Sequence, residues 1–399
     1  MNHLLSDRVI NMAESETLKM AQMARDLKAL GHDVISLSLG EPDFDTPDSI
    51  KEVAWEALKA GITKYTPVPG LQELREAIAQ KLREENKLNY IASQIVVSNG
   101  AKQSIANICQ AMLNPGDEVI VFAPYWVSYF EIIKLAGGTP VIISGDIETE
   151  YKVTAQQLKN AVTDKTKLVL FSSPCNPTGT VFNREDLESY AQVLRKHPDI
   201  FIISDEIYEY IVFGVEHISI GSLEGMIDQT ITVNGFSKSY SMTGWRLGYM
   251  AAPDFIAKAC IKIQGQFTSG ANSFSQKAGV YAIQHGKAEA LAMRDAFARR
   301  RDLVIRLLQE IPGIRVNHPE GAFYVFPDVS ALYGKTCDGK VIKDADDFCD
   351  LLMSKAYVGL VAGSAFGAPD CFRLSYAASD AQLIEAISRM KKVVEGFTE

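Results

Sequence analysis

The segment Lys167-Leu-Val-Leu-Phe-Ser-Ser-Pro-Cys-Asn-Pro-Thr-Gly179 is followed by Phe201-Ile-Ile-Ser-Asp-Glu-Ile-Tyr208 and Thr230-Ile-Thr-Val-Asn-Gly-Phe-Ser-Lys238, and the three share one pattern. Each is a short apolar, β-rich run that ends in a cluster of polar residues. Runs apolar at successive positions fit strands buried on both faces, as in a parallel sheet covered on either side by helices. Similar runs stand at 94–98, 118–122 and 140–143, and one near Gly248 adds a further strand. Helix-like segments separate the strands, which predicts the α/β class: a large domain with a mostly parallel seven-stranded sheet sandwiched by helices.

Upstream, a helix over 17–30 stops at Gly31, a strand covers 34–39, and Gly40-Glu-Pro-Asp-Phe forms a turn; helices near 47–60 and 71–86 follow. Beyond 287 the pattern changes to a long charged amphipathic helix (294–310) and short strands at 321–326 and 371–376. The expected division is an N-terminal segment 1–47 joining a small α+β domain at 287–399, with the large domain at 48–286. A chain of 399 residues with 47% hydrophobic and 22% charged residues can bury such cores.

Composition excludes several functions. A net charge of -9 disfavours nucleic acid and anionic membrane as partners. No apolar stretch approaches the length of a membrane helix. The six cysteines lack Cys-x-x-Cys spacing and no leader-like segment opens the chain, so reduced thiols in the cytoplasm are expected. Gly-x-Gly and His-Glu-x-x-His are absent, Gly334-Lys-Thr is preceded by Val329 where a P-loop needs glycine, and the dispersed histidines read as surface or structural. No metal site is expected.

In an open parallel sheet, ligands collect at the carboxyl ends of the strands. There the chain places Asn176, then Asp205 with Tyr208, then Ser237 with Lys238, and Arg246 eight residues further on. An amine becomes a nucleophile toward carbonyls when burial or a nearby cation lowers its pKa. A buried aspartate must be paired to keep its charge, and a protonated ring nitrogen would serve. Pyridoxal phosphate asks for this set: Lys238 for its aldehyde, Asp205 for the ring nitrogen, Asn176 and Tyr208 for the ring oxygen, Ser237 and Arg246 for the phosphate. The strand, glycine turn and helix start around Gly100, Ala101 and Lys102 aim free N–H groups at an anion, and Trp126 or Tyr125 could stack on a ring. Each residue also has a plain structural explanation: a helix N-cap for Asp205, an ordinary turn for Asn176-Pro, core packing for the aromatics.

The motifs Gly40-Glu-Pro-Asp-Phe, Lys64-Tyr-Thr-Pro-x-Pro-Gly70, Pro124-Tyr-Trp-Val-Ser-Tyr, Asn176-Pro-Thr-Gly, Ser204-Asp-Glu-Ile-Tyr, Ser237-Lys-Ser-x-x-Met-x-Gly-Trp-Arg246 and Phe372-Arg-Leu-Ser-Tyr together resemble a class I aminotransferase of the fold type I pyridoxal-phosphate superfamily, most like its bacterial aspartate aminotransferases. The resemblance spans nearly the whole chain. It implies ping-pong amino transfer between L-aspartate and 2-oxoglutarate, with pyridoxal 5'-phosphate on Lys238 and Arg373 forking the substrate α-carboxylate. It further implies that Gly40, Trp126 and Asn176 touch substrate, and that Tyr65 reaches the phosphate of the partner subunit in a homodimer. The region 264–272 holds no arginine, so the chain resembles the subgroup in which Lys102 and Ser15 hold the side-chain carboxylate. Cys175 and Ala101 depart from the family's usual asparagine and glycine. Transfer of aromatic, prephenate-like or neutral amino acids, or a lyase reaction, is the alternative on the same scaffold.

Overall fold

The computed structural model describes residues 4–14 and 16–398; Ser15 lies outside the described residues. Seven strands form the central sheet in the order Ile95–Ser98, Gly248–Ala251, Thr230–Gly235, Phe201–Asp205, Thr166–Ser172, Glu118–Ala123, Thr139–Ser144. All pairings among the last five are parallel, and Gly248–Ala251 runs antiparallel to both of its neighbours. The sequence pattern gave that strand no direction. The connection from Thr230–Gly235 contains only the short 3-10 turn Thr243–Trp245, and a parallel return would need a crossover helix.

The apolar runs do what their composition requires. Ile120, Val169 and Ile202 on one face, and Val121, Leu170 and Ile203 on the other, are fully buried in two separate core clusters. Each such side chain contributes on the order of 1.5–3 kcal/mol on leaving water. Register then fixes the site: Ser172 pairs with Asp205 and Asp205 with Val233, so the polar residues at the three strand ends emerge side by side.

A second sheet stands apart from the first. Phe372–Ser375 lies between Val361–Ala362 and Tyr324–Val325, antiparallel to both. The N-terminal strand is shorter than its apolar run, only Ile35–Ser36, and pairs in parallel with Val358–Gly359. The Ser375 N–H then donates to Leu37 O at 3.0 Å, which ties the N-terminal segment to this sheet. The long helix begins at Lys287, two turns earlier than its amphipathic stretch suggested, and ends at Gln309. Among the described residues no helix is long and apolar enough to cross a membrane.

Candidate active site

A cavity of about 290 Å³ opens at the carboxyl ends of the parallel strands, between the two sheets, with Lys238, Asp205 and Arg373 in its wall. Lys238 follows the strand Thr230–Gly235 and donates from Nζ to the Gly40 carbonyl. Burial pushes its amine down to about 8, and the Arg373 and Arg246 cations act in the same direction against Glu41 and Asp205. A fraction of the amine is therefore neutral and nucleophilic near neutral pH.

Asp205 ends the strand Phe201–Asp205 and is 4% exposed. It is no helix N-cap. Its Oδ2 accepts from Tyr129 Oη at 2.6 Å and its Oδ1 from the Ile207 N–H at 3.2 Å. Burial raises its carboxyl to about 6 despite those two hydrogen bonds, and the neighbouring Glu206 charge adds to the rise. Such a carboxylate is short of a cation, and a protonated ring nitrogen would supply one.

Arg373, on the middle strand of the second sheet, is 1% exposed. Its Nη1 donates to Asn176 Oδ1 at 2.8 Å, its Nη2 donates to the Ser38 carbonyl, and its Cζ lies 4.7 Å from the centroid of the Tyr324 ring and 4.9 Å from that of Phe366. Among the described residues every acceptor is neutral, and Nε has no partner. Removing an arginine from water without an anion is costly, so this guanidinium is built to receive one. Because Arg373 takes Asn176 Oδ1, the Asn176 amide nitrogen is left to donate into the cavity. Tyr208 Oη lies 2.8 Å from Tyr324 Oη, and burial keeps its phenol well above its usual range, hence protonated and able to donate.

At the other end, Gly100 at φ +84° turns the chain into the helix Ala101–Met112, whose start has no side-chain cap. Ala101 and Lys102, in that first turn, line the cavity, and the first N–H groups of a helix are free to bind an anion. Ser237 and Arg246 line the same region. A Cβ on Gly100 would come within 2.4 Å of Arg246 Nη2, so the glycine is what lets the guanidinium approach. Lys102 Nζ sits 4.7 Å over the Trp126 ring, and partial burial and the Arg246 cation push its amine down.

Of the sequence-derived candidates, Gly40, Ala101, Lys102, Trp126, Asn176, Asp205, Tyr208, Ser237, Lys238, Arg246 and Arg373 converge on this cavity. Gly100 stands just behind it. Tyr125, the alternative to Trp126 as a stacking ring, is instead packed against Phe130 at a centroid distance of 6.4 Å. Tyr65 is 98% exposed and outside the cavity wall. Sequence reading missed Thr17, Leu18, Tyr129, Ser172 and Tyr324, all of which line the cavity. Ser172 Oγ, buried and without a partner among the described residues, is a further donor in the cavity wall.

A family model described as aminotransferase class I and II matches residues 32–390. The chain is 48% identical to the bifunctional aspartate aminotransferase and glutamate/aspartate-prephenate aminotransferase of Petunia hybrida, over 98% of this chain and 82% of the relative. It is 46% identical to the aspartate/prephenate aminotransferase of Cereibacter sphaeroides, over 99% of each. The crystal structure of the aspartate aminotransferase from Rhizobium meliloti superposes with a TM-score of 0.96 at 41% identity, covering 99% of both chains.

Proposed function

Because this chain belongs to the class I and II aminotransferase family, we propose that it moves the amino group of L-aspartate to 2-oxoglutarate, releasing oxaloacetate and L-glutamate. The observation that carries the reading is the buried Arg373 guanidinium, facing only neutral acceptors in the cavity that also holds Lys238. An α-carboxylate is the anion it fits, and its planar donors match both oxygens.

Pyridoxal 5'-phosphate is the cofactor, and the donor set suits it. Lys238 would hold its aldehyde carbon, Asp205 its ring nitrogen, Tyr208 and Asn176 its ring oxygen, and the Ala101–Lys102 turn with Ser237 and Arg246 its phosphate. When bound, it supplies an electron sink for the bond broken at the substrate Cα. The rest is done by the chain. Arg373 and Asn176 grip the α-carboxylate and thereby orient the Cα–H bond. Lys238 Nζ, neutral in part at working pH, takes the Cα proton. Asp205, held by Tyr129, keeps a proton on the ring nitrogen. Lys102, with Ser15, receives the side-chain carboxylate, which selects dicarboxylic substrates. Tyr65 extends from one protomer of a homodimer to the phosphate of the other, and the enzyme works in the cytoplasm.

The test is a set of half-reactions. Protein loaded with cofactor should lose its visible absorbance on addition of aspartate or glutamate and regain it with 2-oxoglutarate. Alanine and phenylalanine should react at least about tenfold more slowly, the discrimination one ion pair supplies. A colourless protein, or alanine as fast as aspartate, would overturn the reading.

A further inference from the structure

Directly after Asp205 the chain turns a second carboxylate the other way. Asp205 lines the cavity, whereas Glu206 is fully buried outside it. Glu206 Oε1 accepts from Ser204 Oγ at 2.9 Å, and Oε2 accepts from Ser219 Oγ at 2.6 Å and stands 3.1 Å from His217 Nε2. Glu209, likewise buried, accepts from Lys81 Nζ and, at 2.9 Å, from Asn86 Nδ2. The segment is two-sided: Asp205 and Tyr208 face the cavity, while Glu206 and Glu209 face a closed polar network.

Glu206, Glu209 and His217 bring one ligand-type atom each within 4.8 Å of one another, a spacing a metal could use. The donor set argues otherwise. The Lys81 ammonium already pairs with Glu209, and hydroxyls occupy both oxygens of Glu206. What remains is a charge balance of two carboxylates against one ammonium and one imidazole. His217 Nε2 faces Glu206 Oε2 at 3.1 Å, and the buried His217 Nδ1 has no partner among the described residues.

We infer that Glu206 is a positioning residue for the reaction: touching neither cofactor nor substrate, it acts through Asp205, and its negative charge, tempered by the donors around it, sets how firmly Asp205 holds the cofactor's ring nitrogen protonated. The inference rests on the cofactor assignment above. The charged groups around Glu206 are Asp205, Glu209, Lys81 and His217; the phenols of Tyr90 and Tyr249 also feel it, but burial raises both and keeps them neutral. Like charge next to Asp205 raises its affinity for a cation, so a more negative Glu206 site favours protonated cofactor and a less negative one disfavours it.

The experiment uses the cofactor-loaded enzyme and reads the pH midpoint of the visible absorbance change of the bound cofactor. Glu206→Gln removes the charge and should lower the midpoint by about half a pH unit. His217→Ala takes the ring nitrogen away from Glu206 Oε2 and should raise it by a comparable amount. Ser219→Ala, which removes a donor from Glu206, should also raise it and covers the case of a Glu206 variant that does not fold. A scaffolding role would loosen cofactor binding in all three without displacing the midpoint in opposite directions. Midpoints that stay at the wild-type value, or all move the same way, overturn the inference. A wild-type protein without a visible band would instead defeat the cofactor assignment itself.

Discussion

Asp205 carries a stability cost that the function explains. Its carboxyl is raised from 3.8 to about 6, chiefly by burial. A folded-state pKa above the unfolded one means that the stabilising contribution is complete below about pH 4 and is lost as pH rises through about 6. In cofactor-free protein, wild type should therefore lose on the order of 2–3 kcal/mol relative to Asp205→Asn between about pH 4 and pH 7. Urea unfolding at the two pH values measures this, and a constant difference would show that Asp205 is already paired without cofactor. At this scale the sequence was informative where a side chain's chemistry alone implies a partner: a lysine, an aspartate and an arginine at strand ends can be read as a set. Tyr129 and Tyr324 could not be read so, since nothing local says that one phenol donates to Asp205 and the other stacks on Arg373.

Among the elements, the strand–turn–helix unit from Ile95 to Met112 shows how backbone geometry serves an anion. Gly100 at φ +84° both frees the first N–H groups of the helix and leaves room for Arg246. Gly100→Ala is strained twice, by its dihedral and by a Cβ that the Arg246 guanidinium already excludes at 2.4 Å. It should cost about 1 kcal/mol of stability and weaken cofactor binding by about tenfold or more, measured by dialysis against the coenzyme. Opposite the site, the turn that carries Gly40 is fastened by Arg300, whose two Nη groups donate to Asp43 at 2.7 and 2.9 Å. The parallel strands were legible because each is a continuous apolar run. The small sheet was less so, because its strands of two to four residues are set by pairing between distant segments, not by local pattern. The direction of Gly248–Ala251 depended on its short connection, which periodicity does not report.

For the molecule as a whole, an almost fully exposed Tyr65 is a side chain waiting for a neighbour. If it completes the site of a second copy, Tyr65→Ala and Lys238→Ala proteins should each be inactive or nearly so. After the two are mixed, unfolded and refolded together, random pairing leaves half the dimers mixed, each with one intact site, and activity should return to about a quarter of wild type. No recovery in the mixture would confine each site to one chain. The overall charge of -9 also contrasts with the cavity, where Lys102, Lys238, Arg246 and Arg373 stand against Asp205. Such a pocket in an acidic protein draws small anions from solution indiscriminately. The unmatched guanidinium of Arg373 would then be seated by chloride or acetate whenever amino acid is absent, so common buffer salts should behave as competitive inhibitors, and Michaelis constants for this enzyme carry meaning only beside the salt at which they were taken.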